Sequence, residues 1–198
     1  MPRGAERLTR EGIRPRGENY LQMKVVMGID PGTANFGFGV VRVEGSHLAP
    51  LDGGVIETAS TLSPEKRLEA IHRDLAELID WHRPTALATE EVFFGTNADS
   101  AMQVGQAVGV ALLSAAQAGI DCFSYTPQAI KKAVCGSGGA DKKQVQRMVA
   151  TLLGLNEVPK PDHAADALAV AICHAGTTSF GDAAEAAAGA GSKLRVAS

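Results

Sequence analysis

The feature that most constrains how this chain can fold is an apolar run at positions 25–29 that leads straight into Asp30 and a Pro-Gly pair. A short apolar run that stops at a turn signal is typical of a strand, and Asp-Pro-Gly favours a sharp turn. The sequence therefore predicts that the carboxylate of Asp30 is held at the rigid end of a strand.

Two further segments carry side chains that can bind a metal. The apolar run at 86–89 ends at Glu90, while His163 and Asp166 open an alanine-rich segment with the spacing of one helix face. Hard divalent cations such as Mg2+ prefer oxygen ligands, and two of them about 3.5–4 Å apart can hold both oxygens of an in-line phosphoryl displacement. If the two strand ends are neighbours, the pattern predicts metal-dependent phosphodiester cleavage with four ligands: Asp30, Glu90, His163 and Asp166.

Length and composition predict one folded domain at 23–176. The chain has 198 residues, 45% of them hydrophobic, which suffices for one sizeable core. Residues 1–22 are rich in Arg and poor in apolar side chains, and residues 177–198 are dominated by small residues with scattered charge. We expect both terminal segments to lack fixed structure.

The sequence also points to a cytoplasmic location. No apolar run reaches the roughly 18–20 residues of a membrane span, and residues 1–22 lack the apolar segment of a secretory signal. The cysteines at 122, 135 and 173 are unevenly spaced and form no CxxC pair, which is typical of buried, reduced thiols rather than of a zinc site.

Hydrophobic periodicity predicts an α/β fold with a mixed central sheet and helices on its faces. Three strands come first and helices alternate with strands afterwards, which favours an antiparallel start followed by parallel pairing. Predicted strands lie at 24–30, 37–43, 48–57, 86–92 and 120–125; predicted helices lie at 64–83 with Ser63 as cap, 98–118, 127–134, 141–153 and 163–174.

One segment is strongly basic although the whole chain has a formal net charge of −3. Between positions 131 and 147, five basic residues stand against the single acid Asp141, so positive charge is concentrated close to the third ligand cluster. The basic residues are Lys131, Lys132, Lys142, Lys143 and Arg147.

Four motifs, in this order, resemble the RuvC family of bacterial Holliday junction resolvases. They are GIDPGTANFGFGVV at 28–41, EEVFFGTNADSAMQVGQAVGV at 90–110, KKAVCGSGGADKKQVQRMV at 131–149 and DHAADALAVAICHA at 162–175. The resemblance covers about 23–175, and it implies an RNase H-like fold, a homodimer acting on four-way junction DNA in recombination and repair, and paired nicks in strands of like polarity.

The resemblance also implies roles for individual residues. Asp30 and Glu90 match the acids of the first and fourth strands, and His163 and Asp166 match the pair on the last helix, with two Mg2+ ions per site. Many members have an acid at the position of His163; because imidazole is a softer ligand, Mn2+ becomes an alternative metal. Lys142 would offset phosphate charge in the transition state, and Lys131 would lie near the cleaved strand.

Phe93 resembles the family aromatic that stacks on or wedges between bases at the junction. For the following Phe94 we expect a place in the core. The family further implies work beside the RuvA–RuvB branch-migration complex.

Ordinary structural roles compete with several of these assignments. Asp-Pro-Gly is most often only a turn, and acids in the first turn of a helix complement its dipole, the interpretation we favour for Asp162. Glu91 should point away from Glu90, because successive strand residues face opposite sides. The helix at 98–118 is apolar on so many sides that we expect part of it to face a partner subunit, with simple core packing as the alternative.

Three other functions fit parts of the sequence. The stretch Gly28 to Thr33 also resembles the phosphate loop of actin and sugar-kinase proteins, although those proteins need two such domains. A related nuclease of structured RNA and a noncatalytic junction-binding module are the other two. Cleavage of a four-way DNA junction, compared with linear duplex and structured RNA, separates all of them.

Overall fold

A computed structural model describes residues 24–91, 98–179 and 191–194. These residues form a six-stranded sheet in the order β3-β2-β1-β4-β5-β6, in which β1, β4 and β5 are parallel and the other neighbours antiparallel. The strands are β1 (Lys24–Asp30), β2 (Asn35–Glu44), β3 (His47–Glu57), β4 (Ala86–Glu90), β5 (Asp121–Tyr125) and β6 (Gly191–Leu194). The helices are α1 (Pro64–His82), α2 (Ala98–Gln117), α3 (Pro127–Cys135), α4 (Lys142–Leu152) and α5 (Asp162–Ser179).

Two hydrophobic cores lie on the two faces of the sheet. Val25 and Val26 are adjacent on β1 and both buried, but they belong to different cores because successive strand residues point to opposite faces. One core packs α1 and α2 against the sheet, and the other packs α3, α4 and α5. The predicted mixed sheet with helices on both faces is therefore confirmed.

Glycines on β1 and β2 let α5 lie very close to the sheet. A Cβ atom at Gly28 of β1 would stand 2.1 Å from the backbone oxygen of Ala167, and one at Gly37 of β2 would stand 2.4 Å from that of His163. Both distances are far below any van der Waals contact, so these positions accept no side chain while α5 keeps its place. The missing side chains at Gly28 and Gly37 thus allow α5 to lie directly against β1 and β2.

The chain departs from the predicted elements in three places. Ser63 occupies the cap position of α1, but its hydroxyl bonds to the Glu65 carboxylate instead of a backbone N–H. Helix α5 continues to Ser179, and β6 pairs with β5, so the expectation of no fixed structure from 177 onward is wrong at 177–179 and 191–194. Strand β6 satisfies backbone groups that β5 would otherwise expose at a sheet edge.

The remaining terminal residues, 1–22 among them, lie outside the described part of the chain, as do Phe93 and Phe94. No helix within the described ranges is long and apolar enough to cross a membrane. The three cysteines are all free; Cys122 and Cys173 are buried, and Cys135 is partly exposed.

Candidate active site

Asp30 and Glu90 come together because β1 and β4 are parallel neighbours in the sheet. Ile29 pairs with Thr89 in the register of these strands, so the next residue on each strand is one of the two acids. Parallel strands end at the same sheet edge, and the chain leaves β1 at Pro31 and bends at Thr33 and Ala34 before β2. The neighbouring strand ends that the metal-site prediction required are present.

His163 reaches the same edge from the first turn of α5. Its Nδ1 lies 2.6 Å from Asp30 Oδ2, with both side chains partly exposed. In the neutral ring with its proton on Nδ1, the Nδ1–H group donates a hydrogen bond to this carboxylate, which leaves the lone pair of Nε2 available as a metal ligand. The backbone of His163 is the part of α5 that approaches Gly37, so the glycine contact and the ligand position are linked.

Asp166 lies one turn further along α5 and is joined to a lysine. Lys142, the first residue of α4, places Nζ 2.9 Å from Asp166 Oδ2 and 3.4 Å from Asp162 Oδ2. The capping box formed by Asp141 and Gln144 fixes the start of α4 and hence the backbone of Lys142. The structure therefore places Lys142 beside the acids at the start of α5.

Burial and mutual repulsion raise the proton affinity of this group. The pKa of Glu90 is raised, first by desolvation and then by the negative charges of Asp30 and Asp166, while Lys131 opposes the shift. The pKa of Asp166 is raised mainly by desolvation, against the lowering effect of Lys142. Charges that repel one another in this way are stabilised by a bound cation.

The donor set fits a divalent metal, although the side chains are not gathered into a ligand cluster. Among the described residues no three His, Cys, Asp or Glu side chains converge closely enough to hold a metal. Asp30 is instead paired with His163, and Asp166 with Lys142. Three carboxylates and one imidazole on neighbouring elements still offer the oxygen-rich set that Mg2+ and Mn2+ prefer.

The predicted DNA contacts divide into three groups. Lys131 lies on α3 close enough to Glu90 to lower the pKa of that acid, and Lys142 contacts Asp166 directly. Phe93 is outside the described residues. The other three predicted contacts are exposed on α3 and α4: Lys132, Lys143 and Arg147.

The sequence predicts only a helix-dipole role for Asp162, whereas the structure places its carboxylate 3.4 Å from the Lys142 ammonium. Asp162 and Asp166 are four residues apart on α5, so both carboxylates face Lys142. That spacing was the available signal, but nothing in the sequence placed the start of α4 opposite α5.

Comparison with known proteins gives one family. A family model described as Crossover junction endodeoxyribonuclease RuvC matches residues 26–174. A protein of that name from Rubrobacter xylanophilus is 53% identical over 152 residues, covering 77% of this chain and 85% of the relative. Another from Alkaliphilus oremlandii is 51% identical over 156 residues, covering 79% and 95%.

Solved structures agree with the sequence matches. T. thermophilus RuvC in complex with Holliday junction substrate superimposes with a TM-score of 0.77 at 41% identity, covering 80% of this chain and 96% of that chain. The yeast mitochondrial Holliday junction resolvase Ydc2, at 16% identity and a TM-score of 0.58, supports the fold alone. The predicted RNase H-like fold is confirmed, and from the family model and relatives more than half identical it follows that this chain belongs to the RuvC family of crossover junction endodeoxyribonucleases.

Proposed function

We propose that this protein resolves four-way DNA junctions in homologous recombination and repair by paired, metal-dependent nicks in strands of like polarity. The observation that carries the proposal is the meeting of Asp30 and Glu90 at adjacent strand ends, with His163 2.6 Å from Asp30 and Lys142 2.9 Å from Asp166. These are the residues that the family motifs select, and they lie on four separate elements: β1, β4, α4 and α5.

The RuvC family consists of divalent-metal-dependent nucleases. In this chain the residues that would hold the metal are Asp30, Glu90, His163 and Asp166. When bound, two divalent cations supply activation of the water nucleophile and stabilisation of the departing 3′ oxygen. We propose Mg2+ as the usual ion and Mn2+ as an alternative, because an imidazole replaces one oxygen donor.

The chain's own cations complete the proposed site. The ammonium of Lys142 lies beside Asp166 and would meet the negative charge of the scissile phosphate, where an oriented cation stabilises the transition state. Lys131 sits near Glu90, and the exposed basic residues of α3 and α4 extend the positive surface away from the site: Lys132, Lys143 and Arg147. Phe93 is proposed as the aromatic wedge between bases.

Resolution requires two matched cuts, and we propose that a two-fold symmetric homodimer provides the two sites. Helix α2 packs on the core through Ala107, Ala111 and Ala115, whereas Met102 and Leu113 are 65% and 49% exposed. Exposed apolar side chains along one helix are suited to a partner subunit. A cytoplasmic location and cooperation with the RuvA–RuvB complex remain part of the proposal.

The deciding experiment compares the parent and Asp30→Asn on a synthetic four-way DNA junction, a linear duplex of the same sequence and a structured RNA. We expect metal-dependent cleavage of the junction alone by the parent, and unreduced junction binding without nicking by Asp30→Asn, because the basic surface that supplies affinity is untouched. Preferential cleavage of RNA would replace the proposal with an RNA nuclease. Normal nicking by Asp30→Asn would overturn the site assignment.

A further inference from the structure

The ammonium of Lys142 contacts two acids, and only one of them is a proposed metal ligand. Nζ lies 2.9 Å from Asp166 Oδ2 and 3.4 Å from Asp162 Oδ2, and both acids lie on the same face of α5. Asp166 is a proposed metal ligand, whereas the acid at 162 is not among the residues to which the family resemblance assigns a role. The side chain of Asp162 is 64% exposed, so burial does not explain its contact with the lysine.

A metal and Lys142 compete for the same carboxylate. The oxygen that bonds to Nζ is Oδ2 of Asp166, and an oxygen engaged by a cation offers less charge to a second one. If Lys142 had only Asp166, metal binding would weaken its ion pair, because the charge of that carboxylate would then be shared with the metal. Asp162 offers an alternative partner within 3.4 Å of its present position.

We propose that Asp162 is a positioning residue that accepts Lys142 when Asp166 binds a divalent metal. The ammonium then stays beside the site, where the proposed function needs it against the scissile phosphate. This inference rests on that function for the purpose of the lysine, but the exchange between the two carboxylates is a property of the metal-binding site itself.

The test measures Mn2+ binding to the full chain without DNA, by the loss of the free-ion electron paramagnetic resonance signal. Asp162→Asn should weaken Mn2+ binding about two- to fivefold, the range of a partly exposed ion pair, because Lys142 then holds Asp166 more firmly. Lys142→Gln should tighten binding by a similar factor since it removes the competing cation. Asp162→Glu keeps the charge and should restore most of the affinity.

The double variant distinguishes exchange from simpler explanations. In the Lys142→Gln background, Asp162→Asn should weaken Mn2+ binding no more than Glu157→Gln does; Glu157 is an exposed acid in the loop before α5 and controls for the loss of one negative charge. An equal effect of Asp162→Asn with and without Lys142 would overturn the proposal and make Asp162 a ligand or a source of general field.

Kinetics on junction DNA provide the second readout. At saturating Mn2+, Asp162→Asn should lower the single-turnover rate less than Lys142→Gln does, and Asp162→Glu should recover it. An unchanged rate would overturn the positioning role. A chain that shows the Mn2+ coupling but cleaves no junction would refute the proposed function while leaving the carboxylate exchange in place.

Discussion

At the scale of single residues, the adjacent acids Glu90 and Glu91 have different surroundings although their side chains are chemically identical. Glu90 is half-buried at the end of β4, where desolvation and then the charges of Asp30 and Asp166 raise its pKa. Glu91 follows the strand, and its N–H bonds to the backbone oxygen of Tyr125, which continues the pairing with β5. Successive side chains in such pairing face opposite ways, so Glu91 is directed away from the other acids.

Glu90→Gln should therefore lower the single-turnover rate of junction cleavage by roughly 100-fold, the scale of losing one preorganised electrostatic contact. Glu91→Gln should stay close to the parent rate, because the substitution removes a charge outside the site. The measurement is the cleavage rate of both variants and the parent at saturating DNA and metal. The opposite ranking would mean that the side chains at the end of β4 point the other way.

His163 differs from its neighbours because its nitrogen binds metal only when neutral. Protons compete with the metal for this nitrogen, so we expect cleavage to fall on acidification and added metal to restore part of it. His163→Asp should shift the preference from Mn2+ toward Mg2+, while His163→Ala should be weak with both ions. The measurement is the rate against pH and against each metal. Parent-like rates for His163→Ala would assign His163 a structural role.

A second histidine, His174 of α5, should control acid stability. It is 3% exposed, lies 2.7 Å from the Tyr125 hydroxyl, and has its pKa lowered to about 4 by burial and by the charge of Lys24. The unfolded chain binds this proton near pH 6.5 and the folded chain only near 4, so the free energy of unfolding falls between those values. The loss approaches about 3 kcal/mol by pH 4.

His174→Gln removes that titration and should flatten the stability curve between pH 6.5 and 4. Urea unfolding at several pH values measures the difference between variant and parent. The curve of the variant is subtracted from that of the parent because Glu90 and Asp166 titrate in both proteins. Their pKa values are raised in the folded state, so they increase the free energy of unfolding as the pH falls, opposite to His174. Parallel curves for the two proteins would exclude His174 as a source of the acid sensitivity.

At the scale of elements, the site depends on how closely α5 approaches the sheet. Gly28→Ala would place a methyl group 2.1 Å from the oxygen of Ala167 and 2.6 Å from the nitrogen of Ala171. Backbone cannot move aside as a flexible side chain can, so α5 must shift, at a cost of about 1–3 kcal/mol or more. Cleavage should fall further than stability alone explains, since His163 and Asp166 move with the helix.

Gly176→Ala is the matched control, because this glycine lies on the same helix with open space where a Cβ would stand. Alanine is the better helix former, so stability should be equal or higher and cleavage unchanged. Thermal unfolding and single-turnover cleavage of both variants make the comparison. If Gly28→Ala and Gly176→Ala have equal stability and equal cleavage rates, the activity of the site does not depend on the close packing of α5.

Sequence patterns predict the helices and strands of this fold better than the contacts between them. The first strand, its acid and the turn were readable from local apolar patterning and Asp-Pro-Gly, and so were most helices. The contact of Lys142 with Asp162 and the pairing of β1 with β4 join residues far apart in sequence, and periodicity carries no information on such pairing. The four motifs supplied what periodicity could not, by selecting Asp30 and Glu90 together.

The glycines that allow α5 to approach the sheet are visible in the sequence, but their role is clear only from the fold. Gly28 and Gly39 are paired across β1 and β2, and both meet α5, yet in the sequence they read only as small residues in strands. Likewise β6 lies in a segment dominated by small residues, and its place beside β5 follows from an available sheet edge rather than from its own composition.

At the scale of the whole molecule, α2 links the site to the proposed partner. Thr33, in the turn after Asp30, donates a hydrogen bond of 3.3 Å to the Gln103 side chain on α2. The same helix carries the exposed Met102 and Leu113. A subunit that covers this face would lie one hydrogen bond away from the loop that holds the first acid, which suits an enzyme that must make two matched cuts.

Leu113→Glu should abolish or greatly weaken the dimer, because an unpaired charge within an apolar interface is costly to bury. Since Leu113 is 49% exposed in the isolated chain, the substitution should leave the fold intact, as circular dichroism can verify. Sedimentation at micromolar concentration should show a dimer for the parent and a monomer for the variant. The monomer should make single nicks rather than paired cuts in a four-way junction.

Leu152→Glu provides the control for that substitution. Leu152 is 38% exposed at the end of α4, a helix of the opposite sheet face, so it introduces the same charge away from α2. We expect this variant to remain dimeric and to resolve junctions by paired cuts. If Leu152→Glu dissociates the dimer and Leu113→Glu does not, the interface lies on the α4 side. If the parent resolves junctions as a monomer, no partner subunit at α2 is needed.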